Sequence, residues 1–144
     1  MKKIVLITWM IVQTIVTYSQ TDTYGDSTTY QSDGRWIDET LEQCIKQQGS
    51  TNNGMVACLI EALDAWEKQL HDTYELLYSQ LEGANRTNLQ ASQTSWEAYK
   101  KAQYRFLENY YGTMQGTMYK QIMVSEKIDV LKRRFPELYN LTQD

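Results

Sequence analysis

Few residues of this chain are equipped for chemistry. His71 is the only imidazole, and Cys44 and Cys58 are the only thiols. A zinc site needs three or four converging ligands. Asp72 and Glu75 lie close by, and Glu75 shares a helix face with His71. That pair falls well short of a coordination sphere, so the stretch reads as a solvated face and no metal ligands are assigned. A cysteine nucleophile needs an activated thiol beside a histidine, whereas Cys44 and Cys58 are better assigned to each other. Neither G-x-S-x-G, H-E-x-x-H nor a phosphate-binding loop occurs. Paired carboxylates can be drawn from 18 acidic residues, yet none sits in a context that marks a glycosidase pair. The chain therefore reads as a non-enzyme, with no catalytic residue and no cofactor.

The elements around these residues follow from length and patterning. A chain of 144 residues with one proline allows one domain and argues against a turn-rich sandwich or barrel. Its 14 basic residues against 18 acidic ones give −4, the wrong sign for nucleic acid as the main partner. Met1-Lys2-Lys3 is a basic start, Ile4 to Val16 is mostly apolar, and Thr17 and Ser19 are small residues before a cleavage point. Residues 1–20 thus read as a signal peptide, with the mature protein periplasmic or secreted. The apolar run is too short to span a bilayer comfortably, so no stable membrane insertion is expected once the leader is removed. Loss of Lys2 and Lys3 leaves 12 bases against 18 acids, or −6. Residues 21–35 form a polar stretch in which Thr21 to Gly34 holds no aliphatic residue, which predicts a flexible tail.

From Trp36 onward the periodicity is helical. Trp36, Ile37, Leu41, Cys44 and Ile45 predict a first helix from about Asp38 to Gly49. After a turn over Gly49–Gly54, Leu59, Leu63, Trp66, Leu70, Tyr74, Leu77 and Leu81 form one stripe of a longer helix. Gly83 marks its end. Asn85 or Thr87 caps a third helix, whose expected inward stripe is Leu89, Ser92, Trp96, Tyr99, Gln103, Phe106 and Tyr110. Gly112 to Thr117 interrupts the pattern. A fourth helix begins near Met118, buries Val124, Ile128, Leu131 and Phe135, and is expected to end before Pro136. Residues 137–144 are expected to fray. The fold class is all-α, a small antiparallel bundle of three to four helices.

Cys44 and Cys58 flank the first turn at similar heights on facing helices. A disulfide fits that placement and an oxidising compartment; two buried free thiols are the alternative. Trp66 and Trp96 sit on apolar stripes as core residues, each indole N–H near a polar partner. Tyr104, Tyr110, Tyr111 and Tyr119 are too many for one seam, so some must be exposed.

The order of residues also carries a resemblance. Cys44 is followed by Met55-Val56-Ala57-Cys58, then by Trp66-Glu67, Leu70, Tyr74 and Leu77. Leu89, Gln93, Trp96 and Tyr99 come next in register, and Gly116-Thr117-Met118 later. From Ile37 to Leu131 this set resembles the LprI-like lysozyme inhibitor family of small exported bacterial proteins. The resemblance implies a helical domain over 36–136 whose core includes Trp66, Leu70, Tyr74, Leu77, Leu89, Gln93, Trp96 and Tyr99. This chain departs from the family pattern at Lys100-Lys101, where an Arg-Asp pair is usual. It departs again at Tyr104, where a cysteine is often found, and it lacks a lipid-anchor cysteine.

The expected function is binding without catalysis. A protein at −6 is steered toward a basic lysozyme or other cell-wall hydrolase, and inhibition would be steric. Glu82, Arg86, Tyr110, Tyr111 and Thr113 are the candidate contact residues. The alternative is an envelope binding or immunity module for another protein partner.

Overall fold

The computed structural model describes residues 33–143. The signal peptide expected over residues 1–20 and most of the expected tail lie outside the described residues. Helix α1 spans Arg35–Gln48, α2 Asn52–Gln80, α3 Gly83–Gly112 and α4 Thr117–Tyr139, and a 3₁₀ turn over Asn140–Thr142 follows. No strand occurs among the described residues, and none of these helices is long and apolar enough to cross a membrane.

Successive helices run antiparallel. Trp36 and Gln69, Asp38 and Trp66, and Cys44 and Cys58 pair down the α1–α2 hairpin. The α2–α3 hairpin pairs Glu67 with Lys100, and α3–α4 pairs Glu108 with Lys127. The second and fourth helices therefore run parallel, and they pack most extensively of all. Their shared core is Leu59, Ala62, Trp66, Leu70, Leu77, Val124, Ile128, Leu131, Phe135 and Leu138, with Ile37 of α1 and Leu89 of α3 closing its sides. Trp66 lies edge-on to Phe135, ring centroids 5.4 Å apart.

The all-α bundle with one disulfide is as the sequence predicts, but several boundaries differ. Helix α1 starts earlier, at Arg35, and Gly34 before it is buried. A Cβ on Gly34 would lie 2.5 Å from the Trp66 ring, and its φ is +75°. The end of the supposed tail is thus packed against the core, because the indole needs a residue with no side chain there. Helix α2 begins at Asn52, its first turn capped by Thr51, whose hydroxyl accepts the Gly54 N–H at 3.0 Å. The α4 helix passes through Pro136 to Tyr139. Leu138 is buried, and Phe135 stacks on Tyr139 at 5.2 Å. Those apolar contacts outweigh the lost hydrogen bond and the preference of the preceding residue for extended backbone. Residues 137–139 are therefore core-bearing helix, not frayed chain.

The third helix departs most. Leu89 and Leu107 are buried and Trp96, Lys100 and Tyr104 half-buried, whereas Tyr99, Phe106 and Tyr110 stand exposed at 50%, 56% and 50%. The expected stripe is thus displaced around the helix. Apolar residues at helical spacing occur on two faces of α3, and periodicity alone does not choose between them. Packing chooses the face that carries Leu89 and Leu107 to α4.

Candidate binding surfaces

The sulfurs of Cys44 and Cys58 are bonded, with Cα atoms 5.7 Å apart. The bond closes a loop of 14 residues and staples the last turn of α1 to the second turn of α2, across the connecting turn. Above it a shallow groove, open to solvent, runs between the two helices. Trp36, Leu41, Ala62 and Ala65 line it, with Glu61 among them.

Asp38 joins three helices. Its carboxylate accepts the Trp66 indole N–H at 3.2 Å and the Lys132 ammonium from α4. Lys132 also lies over the Trp66 ring, 5.4 Å from its centroid. The polar partner expected for Trp66 is thus Asp38. Trp96 is held differently, half-buried between Lys100 and Arg134, which lie 5.1 and 6.0 Å from its ring centroid.

A second polar seam separates α2 from α3, and the sequence reading missed it. The Glu67 carboxylate accepts from Lys100 at 2.8 Å and from the Tyr104 hydroxyl at 3.0 Å. Glu97 accepts from Lys100 at 3.0 Å. Lys127 reaches across from α4 to Glu108 at 2.6 Å and sits over the Tyr104 ring. Burial by itself would lower the Lys100 pKa. The hydrogen bonds and charges of Glu67 and Glu97 outweigh it, and the net shift is upward. Burial, reinforced by Glu67, pushes the Tyr104 hydroxyl well above the ordinary phenol range. Lys100 and Tyr104 are two of the positions that depart from the family pattern, and both meet at Glu67. A signal was therefore present: the departures lie four residues apart, on one helix face.

Of the pattern residues assigned to the core, Trp66, Leu70, Leu77 and Leu89 are buried. Tyr74, Gln93 and Trp96 are half-buried. Tyr99 is exposed, which corrects its assignment: it lies on the outer flank of α3, away from Leu89 and Leu107. The candidate contact residues divide between the two ends of α3. Glu82 is exposed at the α2–α3 corner. There Arg86 donates from Nε to the Leu81 carbonyl at 2.7 Å and lies over the Tyr78 ring, so it closes the corner. Tyr110, Tyr111 and Thr113 are at the other end, about 36 Å away along the helix. Tyr110 meets Tyr111 edge-on at 5.1 Å, Tyr111 stacks on Tyr119 at 6.5 Å, and Thr113 donates to the Tyr110 carbonyl. These residues do not form one site.

Charge is distributed unevenly. Between Asp33 and Glu82 the chain has ten acidic and three basic residues; between Gly83 and Gln143 it has five acidic and nine basic. On the first half every base is paired: Arg35 with Asp33, Lys46 with Glu42, and Lys68 with Asp72. Lys46 holds the Glu42 carboxyl below the usual glutamate range, chiefly through its hydrogen bond. Glu39, Glu61, Asp64, Glu75 and Glu82 are exposed and have no ion-pair partner among the described residues. Glu61, Asp64, Asp72 and Glu75 share the outward face of α2, opposite its buried Ala62, Trp66 and Thr73, over about 21 Å. His71 lies on this face as well. No group of three or more His, Cys, Asp or Glu residues arranged to hold a metal ion lies among the described residues.

The model of the family described as lysozyme inhibitor LprI matches residues 35–138, from the first residue of α1 nearly to the end of α4. The chain belongs to this LprI family. Comparison with curated proteins and with solved structures returns no match. For this LprI-family chain, the matched segment contains the disulfide, Asp38, the Glu67 seam and the acidic face of α2.

Proposed function

We propose that this chain is an exported, non-catalytic inhibitor of a lysozyme or related cell-wall hydrolase, acting by steric occlusion. The observation that carries this reading is the family match across the whole helical region. Family membership supports a lysozyme as partner. The acidic face of α2 supplies the physics. A carboxylate-rich surface whose own bases are already paired attracts a basic enzyme and raises the encounter rate. The shape supports blocking more than turnover: the groove beside the disulfide is shallow and apolar, and the strongest pKa perturbations sit in a seam between helices. Export draws on the leader-like residues 1–20 and on an α1–α2 staple that suits an oxidising compartment.

The test is titration of purified protein against several lysozymes in a turbidity assay of cell-wall lysis. Inhibition that saturates near stoichiometric protein and weakens with salt supports the proposal. No inhibition at micromolar excess against any of them removes it.

A further inference from the structure

One end of the bundle is free of charge. No Asp, Glu, Lys, Arg or His occurs from Gln47 to Ile60 or from Asn109 to Tyr119. These runs contain the α1–α2 and α3–α4 turns, which the fold brings together. Asn52 donates from Nδ2 to the Thr117 hydroxyl at 2.6 Å, and its Oδ1 accepts from the Gln121 amide at 3.1 Å. Ser50, Asn53, Thr113 and Gln115 stand exposed in these two turns. The end is also braced. The disulfide and the Thr51 cap hold one turn. In the other, Thr113 donates to the Tyr110 carbonyl and the Met114 N–H to the Tyr111 carbonyl, beside the stacked Tyr111 and Tyr119 rings. The opposite end differs in kind, since it carries Asp33, Arg35, Glu82, Arg86 and Glu137.

We propose that this neutral end enters the substrate cleft of the target hydrolase, its amide and hydroxyl side chains taking the places of sugar substituents. Such insertion presupposes the inhibitor reading and names the part of the molecule that carries it out. Glycoside hydrolases place two carboxyl groups beside the scissile bond. The carboxylates of α2 would be repelled there, so they suit the basic surface outside the cleft and not its interior. The same repulsion argues against the corner that carries Glu82. The neutral end meets no such repulsion. Lys120 at its edge is exposed and has no ion-pair partner among the described residues, so it is attracted. The substrate is a strand of N-acetylated sugars, and its cleft therefore already offers partners to amides and hydroxyls. Bracing matters because an insert that is ordered beforehand loses little entropy on binding. The neutral end and the acidic face are also contiguous, since Glu61 lies about 10 Å along α2 from Gly54.

The test uses a basic lysozyme, a neutral N-acetylglucosamine trimer and two charge variants of the full chain. Asn53→Asp/Gln115→Glu adds two carboxylates at the neutral end, and Asn85→Asp/Gln143→Glu adds two at the opposite end. All four side chains are exposed, and circular dichroism checks that the helices persist. If charge only steered the encounter, both variants would bind the basic enzyme at least as well as the unaltered chain. Insertion predicts instead that the first variant inhibits about tenfold less tightly, while the second is unchanged or slightly better. The trimer is expected to compete with the chain for lysozyme. Equal inhibition by the first variant, equal weakening by the second, or simultaneous binding of chain and trimer overturns the insertion and leaves the inhibitor reading standing. No inhibition by the unaltered chain removes both.

Discussion

Tyr104 and Lys100 show how single residues take over a structural task in this bundle. Both reach Glu67, and both have pKa values raised in the fold. A raised folded pKa means that the protonated form is favoured by folding. The stabilisation is fully present below the unfolded pKa, near 10 for tyrosine and 10.5 for lysine. It is lost as pH climbs through the higher folded values. Stability to urea is therefore expected to be flat through neutral pH and to fall above about pH 10. Tyr104→Phe removes the phenol's share of that alkaline decline. It also costs about 1–2 kcal/mol at neutral pH, through loss of a hydrogen bond to a carboxylate. Urea melts of the two proteins at pH 7 and pH 11 check both statements. Trp66 is the other decisive residue, buried, bonded to Asp38 and packed on Phe135. Trp66→Ala should lower stability by about 3–5 kcal/mol. Gly34→Ala should also destabilise, because the added methyl meets the indole and φ is positive. Trp66 was legible as core from the stripe alone. Its dependence on Gly34 was not, since nothing in a polar stretch announces that a distant indole will pack against its last glycine.

At the scale of elements, the α1–α2 hairpin is held by a disulfide, a capped turn and two indole hydrogen bonds. Cys44→Ala/Cys58→Ala is expected to cost about 3 kcal/mol, mainly by freeing the unfolded chain. Mass measurement with and without reductant, followed by thermal melts, reads the bond and its effect. The hairpin was legible because cysteines and turn residues are local signals. The placement of α3 was not, since its rings lie on two faces and the choice depends on contacts with α4, distant in sequence. Pro136 misled for a related reason. A local rule ends the helix there, but Phe135, Leu138 and Tyr139 bury against the core and carry the helix past it.

Across the whole molecule, the acidic α1–α2 half and basic α3–α4 half make the chain a dipole of side-chain charge. Composition gave only the total. The division can be counted along the chain, but only the folded helices show which bases are already paired and which carboxylates share one face. An acidic face of exposed, unpaired carboxylates should govern the rate of encounter with a basic enzyme more than the lifetime of the complex. Glu61→Lys/Asp64→Lys/Glu75→Lys should leave the fold intact, since these side chains are exposed. The same triple reversal should slow association with a basic lysozyme by about tenfold or more at low salt and by less at physiological salt. The most direct test is inhibition of a basic lysozyme by the purified chain, titrated beside this variant at two salt concentrations. Saturating inhibition by the unaltered chain, weakened by salt and by charge reversal, is the predicted result. Absence of inhibition at micromolar excess, or inhibition indifferent to both changes, would contradict the account.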